Sequence, residues 1–490
     1  MNAARWNRAA GLALVVIAGA TAQGCELRPS RQFVPPTNLS AGPPVRAFTP
    51  AAAQDELDPE PPAPPPAERD DGVREQVVVR RLQNGMTLHA LPRSDVPAAT
   101  ILIVFGTKRI PSSSATAHLY ASAAAHGRAN PWARRQLDGA GMFTVSRPDF
   151  VAIGITSLSS VIEPVVSRLV LDMVSALLWK WDVDAAKEEM VIGLADFQPA
   201  RRGYTTALAG LFPVPHPYGS GATAQIPERV REVKVAEVHA FRDANLTTDN
   251  MMVTATGHVD VDSLVTTLDR ALASVPRTSS ARVTHPEPRP SCARQVIAIN
   301  DVGSQQTTVT VAYPAVPALH ADVAALEVLA AAAGGSIATH LNASLRRGRG
   351  LSYGFGAKLR KMREGGVFSV EGDVDPARTV EALGALNDEI DALRRAPLGD
   401  DDLRVAKISA GHATSRLGGA ITAVRLAEAS ILGIPMSDGS AINAVTAEQV
   451  RAAAERYLLP AKRCIVAVGD APRIERELQS AGLGPVSRGQ

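Results

Sequence analysis

Asn250-Met251-Met252-Val253-Thr254-Ala255-Thr256-Gly257 is echoed by Arg463-Cys464-Ile465-Val466-Ala467-Val468-Gly469-Asp470, with Gly257 and Gly469 lying 212 residues apart. Each is a short apolar run that a glycine stops, the pattern of a buried strand. Each follows a helical opening, Val235-Ala236-Glu237-Val238 in one case and Thr446-Ala447-Glu448-Gln449-Val450 in the other, and each leads into a further helical segment. The stretches also begin alike, with Glu75-Gln76-Val77-Val78 and Arg294-Gln295-Val296-Ile297. One unit therefore occurs twice.

Between those landmarks the two copies share a coarse order. Strands are expected at 87–91 and 100–105 in the first, and at 296–299 and 307–312 in the second. A helix follows at 115–125 or 321–333, then a strand at 151–156 or 367–372. Two amphipathic helices close the pattern, at 161–178 and 183–197 or at 376–394 and 400–416. Strands grouped ahead of helices predict an α+β fold. The expectation is two homologous halves, each a mostly antiparallel or mixed sheet with helices on one face, closing into a clam-like chamber. The halves span 74–275 and 294–483, joined by a Pro-rich hinge at 276–293.

What precedes them reads differently. Arg5 and Arg8, an uncharged apolar run from Gly11 to Ala22, and the box Ala22-Gln23-Gly24-Cys25 describe a secretory signal over 1–24. The apolar run is too short to span a bilayer. Cys directly after Gly resembles a bacterial lipoprotein cleavage box, which implies a lipid on Cys25. Glu26 is not the Asp associated with inner-membrane retention, so the expected location is the periplasmic face of the outer membrane. Residues 25–73 hold twelve of the 35 prolines and no apolar periodicity, the composition of an extended tether. Without the signal the chain carries 49 basic and 49 acidic residues, which offers no phosphate-tracking face and argues against nucleic acid. Cys292 and Cys464 are the remaining cysteines. A disulfide between them and two separate buried thiols are both compatible with the sequence.

The chemically telling stretch is Ala115-Thr116-Ala117-His118-Leu119-Tyr120-Ala121-Ser122-Ala123-Ala124-Ala125-His126-Gly127. A helix that binds zinc through His-x-x-Glu-His sets two imidazoles on one face, with the Glu placed to take a proton from zinc-bound water. Here those five positions hold His118, Leu119, Tyr120, Ala121 and Ser122. Ala121 cannot act as a base, and Ser122 is no ordinary zinc ligand. His126 lies two helical turns beyond His118, about 12 Å away, and cannot close the same site.

The order of several further motifs resembles the pitrilysin/insulinase family of inverted zincin peptidases, in the short, processing-peptidase-like layout. The pieces are Leu82-Gln83-Asn84-Gly85-Met86, the helix of His118, Leu137-Asp138-Gly139-Ala140-Gly141 and Ser146-Arg147-Pro148-Asp149-Phe150. Phe212-Pro213-Val214-Pro215-His216-Pro217-Tyr218-Gly219 and the Asn250 strand follow, and the sharpest match is Leu345-Arg346-Arg347-Gly348-Arg349-Gly350-Leu351-Ser352-Tyr353. Together they cover Arg74 to Leu483. For His216, in its Pro-rich loop, a structural role is the reading adopted.

The resemblance implies a metal site that this chain has lost. His118 matches the first ligand, Ala121 stands at the general base and Ser122 at the second ligand. The third-ligand position falls on Ala195 or Asp196, depending on which of Glu188 and Glu189 is aligned. No cofactor is therefore expected on this chain. Arg346 and Tyr353 match the family's Arg and Tyr that reach the substrate at the zinc centre. A guanidinium donates to peptide carbonyls, and a phenol donates to the oxyanion formed when water attacks.

The implied function is that of a non-metal-binding subunit in a heteromeric zinc metallopeptidase. A homologous partner with an intact motif would carry the zinc, and a peptide would be the substrate. The alternative is a catalytically inert scaffold of a membrane-associated complex. A third reading, a hydrolase with displaced ligands, would require stoichiometric zinc on the purified chain.

Overall fold

The computed structural model describes residues 77–93, 97–106, 114–126, 140–175, 178–195, 199–219, 227–277, 287–335, 339–412, 419–436, 439–480 and 485–489. The signal over 1–24, Cys25 and the tether lie outside the described residues, as do part of the hinge and Asp196.

The first half contributes strands β1 (Val78–Arg81), β2 (Thr87–Pro92), β3 (Ala98–Gly106), β4 (Gly141–Ser146), β5 (Phe150–Leu158) and β6 (Met251–Gly257). Their order across the sheet is β1-β2-β6-β3-β5-β4. In the second half, β7 (Val296–Asn300), β8 (Thr307–Ala315), β9 (Ser352–Lys361), β10 (Gly366–Val374), β11 (Cys464–Gly469) and β12 (Val486–Arg488) are ordered β12-β7-β11-β8-β10-β9. Five strands correspond one to one. In each sheet a parallel pair, β2 with β6 or β7 with β11, continues into three antiparallel pairings. The sixth strands differ, since β1 runs antiparallel to β2 while β12 runs parallel to β7.

One face of the first sheet packs on α1 (Ser114–His126), α2 (Ile162–Ser175), α3 (Lys180–Ala195) and later helices of the same half. The second sheet repeats this with α8 (Val323–Gly334), α9 (Thr379–Arg395) and α10 (Asp400–His412). Intervening helices of the first half are α4 (Pro199–Leu211), α5 (Pro227–Glu232), α6 (Val235–Asn245) and α7 (Val261–Ala271).

The opposite faces are also covered, each by a helix from the other half. Ala207, Leu208 and Leu211 of α4 lie against Ile299, Ala312, Val367, Val466 and Val468 of the second sheet. Ala423 and Ala427 of α11 (Gly419–Leu432) lie against Leu102, Val104, Ala152 and Met252 of the first. The central strands explain this second layer. Nearly all of β3 and all of β11 are buried, so neither could present an open face to water. The expected α+β halves are thus present, with one exchanged helix added to the outer face of each sheet.

Close approach of α4 depends on two glycines seven residues apart. A Cβ on Gly203 would stand 2.5 Å from Thr310 Oγ1, and one on Gly210 would overlap Cys292 Sγ. That cysteine is disulfide-bonded to Cys464, which resolves the pair left open by sequence. Gly193, exposed on α3, has no such neighbour. Gly210→Ala should therefore lower stability by about 1–3 kcal/mol through overpacking. Gly193→Ala should raise it by about 0.5–1 kcal/mol through helix propensity. Urea denaturation of the two variants beside the parent checks both signs.

Candidate functional site

Helix α1 is buried along nearly its whole length, which suits its run of alanines. Tyr120 anchors it, with its ring edge-on to Phe105 at 5.8 Å and its hydroxyl donating to the Met173 carbonyl at 3.3 Å. His118 is partly exposed, Ala121 is fully buried, and the Ser122 hydroxyl donates to Glu189 Oε2 at 3.5 Å. The α3 residue that meets the second-ligand position is therefore Glu189. Ala195 lies six residues further along α3, about 9 Å of helix rise. Asp196, the other expected third-ligand position, lies outside the described residues. At the second-ligand position a hydroxyl, hydrogen-bonded to a carboxylate, stands in place of an imidazole. Among the described residues no three His, Cys, Asp or Glu side chains converge to hold a metal. The donor set does not fit a zinc site with three protein ligands.

Arg346 and Tyr353 flank a specially built turn. Asn342–Gly348 is a π-helix, a form concentrated at functional sites. Two residues beyond its end, Gly350 has a φ of 60°, the left-handed conformation that suits glycine. Asn342 pins the π-helix to β9, donating to the Phe355 carbonyl at 3.0 Å and accepting from the Phe355 N–H at 2.7 Å. Arg378 supports the turn from below by donating to the carbonyls of Arg349 and Gly350. Pairing of β9 with β10 slips between Gly372 and Val374, so Tyr353 and Gly354 together oppose Asp373. Such a bulge re-aims a side chain. Tyr353 is 81 % exposed. Among the described residues neither the Arg346 guanidinium nor the Tyr353 hydroxyl has a hydrogen-bond or ion-pair partner, and Arg346 is also exposed.

Two other motifs prove to be the seam between the halves. Buried Asp149 accepts from the Tyr218 hydroxyl at 2.8 Å and from the Arg363 N–H at 3.0 Å. The Tyr218 oxygen accepts from the Glu364 N–H at 3.1 Å, and Arg363 donates to the Ile431 carbonyl at 2.8 Å. His216 is buried, with Nδ1 accepting from the Tyr218 N–H at 3.2 Å and Nε2 lying 3.8 Å from Glu364 Oε2. Its structural role follows from these contacts. The loop turns through a cis Val214–Pro215 bond.

Burial holds the Asp149 carboxyl above its ordinary range, against the lowering effect of its hydrogen bonds. The folded chain thus binds this proton more readily than the unfolded chain. The group's contribution to stability must fall as pH rises from the ordinary carboxylate range through its folded pKa. Asp149→Asn should remove that slope and cost about 1–3 kcal/mol, because an amide has one acceptor oxygen for two donors, the Tyr218 hydroxyl and the Arg363 N–H. Urea midpoints measured across mildly acidic pH in both proteins test the pair of effects.

Comparison with known proteins now bears on these features. Residues 232–409 match the family model described as the peptidase M16 inactive domain. Among solved structures, a peptidase M16 inactive domain from Pseudomonas fluorescens superposes with a TM-score of 0.71 at 19% identity, covering 80% of this chain and 98% of that one. A protease from Helicobacter pylori gives 0.70 at 14% identity, covering 81% and 99%. A chain of Complex III2 from Candida albicans gives 0.65 at 15% identity, covering 82% and 100%. No curated protein matches the chain. The segment 232–409 thus resembles the peptidase M16 inactive domain, and the solved structures share the fold of the chain, in agreement with the motif order.

Proposed function

We propose that this chain is the non-metal-binding subunit of a heteromeric zinc metallopeptidase, supplying Arg346, Tyr353 and half of the chamber to a homologous partner that carries the zinc motif. The observation that supports it most is the pair itself: two exposed donors without partners among the described residues, set by a π-helix and a bulge. Groups with no structural work to do, held by this much local construction, suit contact with something outside the chain. In the assembled site the guanidinium would orient the peptide through its carbonyls. The phenol would donate to the oxyanion that develops as partner-activated water attacks. His118, Ala121 and Ser122 would serve only as packing of the degenerate helix.

The competing reading is an inert assembly subunit, favoured by the likeness to a chain of Complex III2. Peptidase turnover of the assembled complex separates the two. Tyr353→Phe and Arg346→Ala should each lower kcat about 100-fold, equivalent to about 3 kcal/mol of lost transition-state stabilisation. Both positions are exposed, so stability should stay within about 0.5 kcal/mol of the parent. Unchanged turnover in both variants would leave the scaffold reading.

Lipidation at Cys25 and residence on the periplasmic face of the outer membrane belong to the same proposal. The Cys292–Cys464 disulfide supports an oxidising compartment. Among the described residues no helix is long and apolar enough to cross a membrane. Cys25→Ser should move the protein from the membrane to the soluble fraction, as read by fractionation and immunoblotting.

A further inference from the structure

A second set of groups lies on the α4 side of the second sheet and has no part in the site above. Arg360, near the end of β9, stacks on Tyr204 of α4 with its guanidinium carbon 4.0 Å from the ring centroid. It pairs across the sheet with Val367, whose side chain packs on that same helix. Among the described residues the Arg360 guanidinium makes no hydrogen bond and no ion pair. Beneath it the Tyr204 hydroxyl is sealed from water and has no hydrogen-bond partner. Buried phenols are ordinarily satisfied, so an orphan one signals a missing acceptor. Burial pushes Tyr204 up to about 12, which keeps it a donor.

The surroundings are cationic. Arg201 precedes Tyr204 by three residues on α4, and Arg147 reaches in from the turn before β5. Arg201 is exposed at its surface. Its guanidinium is nonetheless crowded enough that loss of hydration, then Arg147 and Arg360, push it down to about 10. Two carboxylates stand near these guanidiniums among the described residues. Glu428 holds Arg147 at 3.0 Å, and Glu371 lies near Tyr204 while accepting from Ser369 at 3.0 Å. Arg360, which has no carboxylate partner among the described residues, thus stands beside an unsatisfied donor.

We propose that Arg360 and the Tyr204 hydroxyl, with Arg201 and Arg147 behind them, form a binding site for a carboxylate of the peptide that the chain handles. A carboxylate matches a guanidinium edge and still has an oxygen to accept from a phenol. The identification as a peptide group rests on the function proposed above and on position. Tyr353 opposes Asp373 and Arg360 opposes Val367, both on the α4 side of β9, at opposite ends of one edge strand. Seven residues of strand, shortened by the bulge, separate them by about 20 Å. A peptide extended along this edge would reach the cationic site roughly six residues from the bond at Tyr353. The carboxylate is either the C-terminus of a short peptide or an acidic side chain at that distance.

Fluorescence anisotropy with the full chain alone tests this, without zinc, partner or cleavage. Three labelled ten-residue peptides are compared: one with a free C-terminus and no acidic side chain, its C-terminal amide, and the amide with one internal Glu. Either the free acid or the Glu peptide should bind at least 10-fold more tightly than the plain amide, and which one does identifies the source. Arg360→Gln should abolish that preference, Arg360→Lys should keep part of it, and Tyr204→Phe should reduce it about 3-fold. Circular dichroism of each variant verifies folding. Equal binding of the three peptides, no binding, or a preference that survives Arg360→Gln would overturn the assignment. Turnover of the Arg346 and Tyr353 variants is a separate measurement, so failure of either reading is distinguishable from failure of the other.

Discussion

Each sheet of this protein is completed by a helix that the chain delivers from the other half. Helix α4 lies on the second sheet and α11 on the first, so neither half has a finished core by itself. The hydrophobic effect that folds one half therefore also joins it to its twin. Polar contacts then set the alignment. Asp149, Tyr218 and the Arg363 backbone interlock at the seam, and Arg202 of α4 donates to Asp301 at 3.1 Å just beyond β7. The disulfide fixes the segment entering β7 to the start of β11 directly beneath α4. The two halves thus form one compact body.

Much of this was legible in the residues. Repetition of the apolar strand before Gly257 and Gly469 correctly announced two copies of one unit, since burial on both faces writes a continuous apolar run. Helices α4 and α11 escaped notice. Pro199-Ala200-Arg201-Arg202-Gly203 reads as polar and glycine-broken, yet those glycines are what permit contact with the sheet. Helix propensity argued against a segment that tertiary packing made helical. Edge strands β4 and β9 were equally quiet: β4 is short and mostly half-buried without alternation, and two glycines interrupt the pattern of β9. Cysteine pairing could not be decided by counting, since only the fold brings position 292 beside 464.

For the site, loss of the base and second ligand was plain in Ala121 and Ser122. What replaced them was not. The meeting of Ser122 with Glu189 depends on how two helices cross, information that spacing along α3 does not hold. The motifs Ser146–Phe150 and Phe212–Gly219 read as family markers, and their physical task became visible only when both were found at the seam. Arg346 and Tyr353 were chosen by resemblance alone. Their π-helix, their bulge and their lack of partners are independent features of the backbone and its surroundings.

The unequal sixth strands carry a practical meaning. Strand β1 opens the folded body at one border of the first sheet, and β12 closes it at the corresponding border of the second, each five positions from β4 or β9. Val78 and Arg488 thus lie on the flank of each sheet remote from those two borders. A fluorescent label coupled at exposed Val79 would stand five strands from β4, and one at exposed Ser487 five strands from β9.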